Sequence, residues 1–436
     1  MKFLNLLQNF NIIFRLKSSR LFSNSIISAK HKKYLIDLNT PEVNLDDVRK
    51  AIVNSGIPFT DFRIRECMHL LVEESSDLIM NRDKFLSLLD NKEFAIINKI
   101  LTGDLAIPNF KSFTDHIKEI YNHCVHNQNG SVATYIPQLS RFSPHYWGLS
   151  LCTVDGQRYN IGDTTVNFCL QSTSKPINYA LALTEIGSYN LHKYVGYEPS
   201  GTSFNHLTLN NENKPHNPMI NSGAILICSL IKQHLNLPER FDYIFRQFKK
   251  ICGNETLGFN NAVFMSEKSS ADRNYALAYY MREYGCFPKS SNLQEILDLY
   301  FQLCSLEANC ESMSVIAATF ANGGLCPTTD DKVLSSEAVR DTLSLMHSCG
   351  MYDYSGQFAF KCGLPCKSGV SGSCLLVIPN VMGIGLWSPP LDKQGNSSRA
   401  LQFCMELVQK FNFHHFDSLL DHHNKIDPRK SLVQDT

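Results

Sequence analysis

Strand-like sequence lies at both ends of a long helical region, and this limits what the chain can fold into. WGLSLCTVDGQRYNIGD (147–163) reads as two strands around an Asp155-Gly156 turn. CLLVIPN (374–380) and VMGIGLWSP (381–389) read as two more, joined at Pro379-Asn380. Between them, from about 176 to 345, the texture is mostly helical, with loops at EPSGTSFNHLTLNNENKPHNP (198–218) and FMSEKSSADRN (264–274). SSRALQFCMELVQKF (397–411) reads as a closing helix. Strands this far apart make one sheet only if the chain leaves it and returns. The expected fold is therefore α/β of the α+β kind, with an antiparallel sheet and an inserted helical lobe. A cleft between sheet and lobe is a natural place for a small ligand.

Ahead of this domain, expected over 130–425, residues 40–125 read as a small all-helical domain. Asn44 precedes LDDVRKAIVNSG, with acids in the first turn and Gly56 after the end. The helix pairs raise an EF-hand, but no D-x-D-x-D-G loop is present, which argues against calcium. HNQNGS (126–131) is a polar linker, and 426–436 is a short polar tail.

The formal net charge is zero and 19% of residues are charged, which gives no reason to expect nucleic acid or an anionic membrane as partner. No apolar run approaches the roughly 20 residues of a membrane span. The 15 cysteines include no C-x-x-C, so mostly free, buried thiols in a reducing compartment are expected. The 15 histidines include no H-E-x-x-H, and the doublets His414-His415 and His422-His423 read as surface histidines. No metal site is expected. Residues 1–36 hold no Asp or Glu, carry scattered Lys and Arg, cluster serines from Ser18 to Ser28, and align Leu6, Phe10 and Phe14 at helical spacing. That pattern describes a disordered mitochondrial transit peptide. A secretory signal is the other reading, but the scattered basic residues leave it no clean apolar centre.

QSTSKPINYALALTEIG (171–187) places a serine and a lysine three apart between a strand-like VNFCLQ and a helix-like run. Three residues is nearly one turn, so Ser172 and Lys175 can share a face. A helix N-terminus and burial both disfavour an ammonium, and a neutral lysine can take a serine proton. The spacing alone is weak, and a capping serine with a surface lysine is the ordinary alternative. Ser229-Leu-Ile-Lys232 repeats it within a helical run, where Lys232 can reach water. A second element raises the odds. KSGVSG (367–372) lies just ahead of a strand, and serine enzymes of the β-lactamase and penicillin-binding type pair S-x-x-K with a K-T-G-like strand.

YIPQL (135–139), CTVDGQR (152–158), KPHNPMINSGA (214–224), SEKSSADRN (266–274), CGMYDYSGQFAF (349–360) and KSGVSG together resemble the glutaminase family, in particular its animal mitochondrial, kidney- and liver-type members, over about 45–430. The resemblance implies a serine β-lactamase-like catalytic domain that hydrolyses L-glutamine to L-glutamate and ammonia through an acyl-enzyme. It implies no metal or organic cofactor, phosphate as an activator, a homotetramer and the mitochondrial matrix. It implies Ser172 as nucleophile, Lys175 as its partner and Tyr352 as a proton relay. Substrate contacts fall on Tyr135, Asn221, Glu267, Asn274, Tyr300, Tyr352 and Val370. Glu267 would meet the α-ammonium, and Asn221, Asn274 and Tyr300 the α-carboxylate. The Val370 N–H would join that of Ser172 as oxyanion hole. Members often continue into ankyrin repeats, which residues 1–436 do not contain. GTSFNHLTLNNENK (201–214) resembles the family's activation loop, with His206 and Thr208 where members can carry lysine and an aromatic. A penicillin-recognising serine hydrolase and an inactive oligomeric scaffold are the alternatives.

Overall fold

The computed structural model describes residues 34–201, 206–418 and 424–430. Most of the segment expected to be a transit peptide, part of the loop that resembles an activation loop, and the last six residues lie outside the described residues. The described residues divide into two compact units, one built from 34–53 and 63–105, the other from the remainder.

The smaller unit contains helices Phe62–Glu73, Arg82–Leu89 and Ala95–Thr102 and most of Leu45–Ser55. It is not all-helical, because Glu42–Asn44 pairs antiparallel with Ile79–Asn81. Asn81 then caps the next helix, its side chain accepting from the Asp83 and Lys84 N–H groups.

The larger unit begins earlier than the linker suggested. Helix Phe110–Val125 belongs to it, because its apolar face cannot be left in water. Phe113, Ile117, Tyr121 and Cys124 share a buried cluster with Leu149, Leu151, Ile384 and Leu386 of the sheet and with Phe403 and Leu407 of helix Ser398–Lys410. The polar tail is also partly ordered: Ile426 donates to the Lys410 carbonyl, and its own carbonyl accepts from the Asn412 N–H.

The sheet has five strands in the order Arg158–Gly162, Gly148–Thr153, Met382–Trp387, Ser373–Ile378, Cys366–Ser368, all antiparallel. Two neighbouring strands thus come from near residue 150 and three from the far end, with the helical lobe inserted between. The three middle strands are buried at every position, so both faces carry packing. Leu149, Leu151, Leu376, Ile378, Ile384 and Leu386 face the cluster just described. On the other side, helix Cys310–Ala321 lies directly on strand Met382–Trp387. A Cβ on Gly383 would stand 2.0 Å from the Ala318 backbone nitrogen, and one on Gly385 2.5 Å from the Cys310 carbonyl oxygen. Only glycine permits that approach. Ser150 joins the two layers through a 3.0 Å hydrogen bond to Ser314.

A smaller sheet positions the segment that carries Ser172 and Lys175. Strand Phe168–Cys169 pairs with Leu306–Ala308, which also pairs with Gly258–Phe259. The chain leaves Cys169 into a 3-10 turn, Gln171–Thr173, and then into helix Ser174–Ile186, buried from Ser174 to Leu183.

Candidate active site

Ser172 is the one partly exposed residue between Leu170 and Leu183. It stands in the turn that feeds the helix, where free N–H groups face outward. Gln171 before it has φ +50°, a left-handed conformation costly for a side-chain-bearing residue. Pro176 is the third residue of the helix, where no intrahelical bond needs its missing N–H.

Lys175 is 2% exposed, and its Nζ donates to Asn221 Oδ1 at 2.7 Å. It forms no ion pair among the described residues. Burial lowers its pKa from 10.5 to about 8. Asn221 is the first residue of helix Asn221–Leu230, one position later than a cap, and its Nδ2 donates to Asn274 Oδ1 at 3.1 Å. Lys175, Asn221 and Asn274 thus form one chain of side chains from three helices. The second S-x-x-K has a different environment. Helix Asn221–Leu230 ends before Lys232, whose Nζ lies 3.8 Å from Glu185 and 4.7 Å from the centre of the Tyr243 ring.

Glu267, on helix Asn261–Ser269, accepts from the Tyr135 hydroxyl at 2.6 Å and from Gln171 Nε2 at 2.9 Å. Burial raises its pKa above the usual carboxylate value, and the two hydrogen bonds partly offset this. Tyr135 sits at the rim, 50% exposed, with its hydroxyl on Glu267. Tyr300, on helix Leu293–Cys304, is buried; burial, then the Cys304 and Glu267 charges, push its phenol pKa well up.

Tyr352 approaches from the other side, in the 3-10 turn Tyr352–Tyr354, at φ +53°. Burial raises its phenol pKa, and the neighbouring Ser172 hydroxyl counteracts part of the rise. The KSGVSG segment supplies strand Cys366–Ser368 and the turn after it. A Cβ on Gly369 would stand 2.5 Å from Ser373 Oγ and 2.9 Å from the Leu170 carbonyl oxygen, so the turn lies directly against the segment carrying Ser172. Val370 follows, partly buried beside a small cluster of Ile136, Leu139, Cys169 and Val263.

Three further residues, to which the sequence reading gave no role of their own, join this site. Gln171 bridges the serine turn to Glu267. Cys304 is buried among Tyr300, Ser174, Glu267 and Lys175, with its thiol pKa pushed up to about 12, chiefly by burial. Lys367 is fully buried, its Nζ donating to the Ser368 carbonyl at 2.8 Å. The K-T-G-like motif marked the segment of Lys367 without giving its lysine a role, and no spacing rule marks the glutamine beside the serine.

A serine at the mouth of a helix, a buried lysine, a facing phenol and backbone donors can form and break an acyl bond. A carboxylate with two donors at the far side can hold a substrate cation.

Comparison with known proteins agrees with this geometry. The family model described as Glutaminase matches residues 130–416. The chain is 49% identical over 401 residues to the glutaminase liver isoform, mitochondrial, of Mus musculus, covering 91% of this chain and 66% of that protein. The Rattus norvegicus protein of the same name gives the same identity and coverage. The chain thus spans slightly less than two thirds of these relatives. A glutaminase of Trichormus variabilis is 41% identical over 302 residues, 69% of this chain and 89% of that protein. Among solved structures, Mglu in its native form superposes with a TM-score of 0.66 at 35% identity, covering 70% of this chain and 73% of that one. The serine β-lactamase-like architecture expected from the sequence is therefore the observed one. With a family model matched from the polar linker to beyond the closing helix, and a relative 49% identical over 91% of this chain, the chain belongs to the glutaminase family.

Proposed function

We propose that this protein hydrolyses L-glutamine to L-glutamate and ammonia, with Ser172 as nucleophile. The carrying observation is Lys175, buried without a carboxylate partner one helical turn from Ser172. The Ser172 hydroxyl gives its proton to the neutral Lys175 amine as Oγ attacks the side-chain amide carbon. The backbone N–H groups of Ser172 and Val370 hold the resulting oxyanion. The C–N bond breaks as the leaving nitrogen takes a proton relayed through Tyr352, and ammonia departs. Water then attacks the ester carbon as its proton passes to neutral Lys175, and Lys175 returns that proton to Ser172 Oγ as the ester C–O bond breaks and glutamate leaves.

Glu267 takes the α-ammonium, oriented by Tyr135 and Gln171, while Asn221, Asn274 and Tyr300 donate to the α-carboxylate. The reaction needs no metal or organic cofactor in this reading, and inorganic phosphate acts on it as an activator. A homotetramer in the mitochondrial matrix completes the proposal. The mitochondrial names of the rodent relatives and the basic, acid-free segment 1–36 support the location.

The deciding experiment measures ammonia release from glutamine and from asparagine, with and without phosphate, for the full chain and for Ser172→Ala. Wild-type release from glutamine and none from the folded variant is expected. Turnover retained in Ser172→Ala would remove it as nucleophile, and wild-type preference for asparagine would remove the substrate assignment.

A further inference from the structure

The proposed reaction leaves one buried amine without a task. Lys367 is 0% exposed in strand Cys366–Ser368, and it forms no ion pair among the described residues. An apolar side chain would fill the same space without the cost of desolvating an amine. Its nitrogen occupies a defined place: 2.8 Å from the Ser368 carbonyl oxygen and 4.5 Å from the centre of the Tyr352 ring. The same strand holds the Tyr352 turn through its backbone, because the Ser368 N–H donates to the Gly350 carbonyl at 3.2 Å. Tyr352 is at φ +53°, a conformation that persists only when its surroundings fix it. The ring face of Tyr352 therefore meets Lys367, while the Ser172 hydroxyl is among the groups acting on its phenol.

The groups acting most strongly on Lys367 are Lys175 on helix Ser174–Ile186, Cys366 on its own strand, Cys374 on the adjacent strand and Cys349 at the end of helix Ser336–Cys349. None is a carboxylate. Burial first, and then the Lys175 charge, hold the Lys367 amine well below its ordinary pKa.

We propose that Lys367 is a positioning residue for the acyl-transfer chemistry: held between the Ser368 carbonyl and the Tyr352 ring, it keeps the phenol in register with the Ser172 hydroxyl. It acts through Tyr352 and touches no substrate. The proposal rests on the glutaminase reading above.

The test is steady-state kinetics on the full chain for Lys367→Met, Lys367→Arg, Tyr352→Phe and the double variant Lys367→Met/Tyr352→Phe, with folding checked by circular dichroism. Lys367→Met is expected to lower kcat about tenfold or more while KM for glutamine stays within about twofold, since ground-state binding is untouched. In the Tyr352→Phe background the same change is expected to cost nothing further, because its effect passes through the phenol. Lys367→Arg places a permanent charge near Lys175, lowers the Lys175 pKa and moves the rising limb of the pH–rate profile to lower pH.

Wild-type kcat in folded Lys367→Met, or full additivity in the double variant, would overturn the proposal. If Lys367→Met does not fold, Lys367→Arg decides: a shifted limb supports the arrangement and an unshifted one overturns it. A wild-type chain that releases no ammonia would instead bring down the glutaminase reading, and this proposal with it.

Discussion

The single residue on which the proposed chemistry turns is Lys175. A lysine must be uncharged to accept a proton, and its folded pKa of about 8 makes that state accessible near neutrality. The neutral fraction, and with it kcat/KM, should climb as pH rises, about tenfold per unit below the pKa, and level off above it. A water-exposed lysine would put the same limb more than two units higher. A pH–rate profile reads this directly, and a limb above pH 10 would exclude Lys175 as the base. Lys175→Ala should cost about 10² to 10⁴ in kcat, the scale of a positioned base. Lys232→Ala, which removes the lysine of the other S-x-x-K pair, should leave kcat unchanged. Glu267 is argued at the same scale. Glu267→Gln keeps an acceptor for Tyr135 but removes the charge that meets the substrate ammonium. The loss of a charge-assisted hydrogen bond is worth about 1.5–3 kcal/mol, so KM for glutamine should rise about 10- to 100-fold. An unchanged KM would place the ammonium elsewhere.

At the scale of elements, the site depends on how closely the turn after strand Cys366–Ser368 approaches the turn carrying Ser172. Gly369→Ala tests this. The added methyl would meet Ser373 Oγ and the Leu170 carbonyl, so the turn must move away and take the Val370 N–H with it. With the fold retained, kcat should fall by up to about 10² to 10³, the worth of one oxyanion donor. Wild-type kcat in Gly369→Ala would mean that this turn does not serve the reaction.

The same elements show what the sequence could carry. The hairpins around Asp155-Gly156 and Pro379-Asn380 were legible because each is a local turn between apolar runs. Their neighbour relation was not: strand Gly148–Thr153 pairs with Met382–Trp387, a choice made by the packing of both faces. Strand Cys366–Ser368 read as a turn before a strand, because three residues carry no alternation. Helix Phe110–Val125 was legible as a helix, but the linker after it concealed which core it joins. In the site, spacing in its strand-to-helix context, together with KSGVSG, pointed to Ser172 and Lys175. Tyr135, Asn221, Glu267, Asn274, Tyr300, Tyr352 and Val370 lie on separate elements and came only through the family resemblance.

Taken as a whole, the molecule carries its cysteines as mostly buried thiols. All fifteen cysteines are free, and all but Cys349 are buried. Even the close pair Cys366 and Cys374, with sulfurs 3.0 Å apart on neighbouring strands, is a thiol contact and not a bond. Burial also suppresses reactivity. The pKa values of Cys228, Cys252 and Cys304 are raised to about 12, chiefly by burial, so almost none of each is thiolate at neutral pH. A thiol-specific chromogenic disulfide reagent should therefore find about one reactive group on the native chain, at Cys349. In denaturant without reductant it should find fifteen, and each disulfide formed would remove two from that count. Cys349→Ser should abolish the native reaction while leaving the denatured count lower by one. A denatured count of thirteen or fewer in protein isolated under oxygen-free conditions would contradict the all-thiol state. It would also contradict the reducing matrix in which this enzyme is proposed to work.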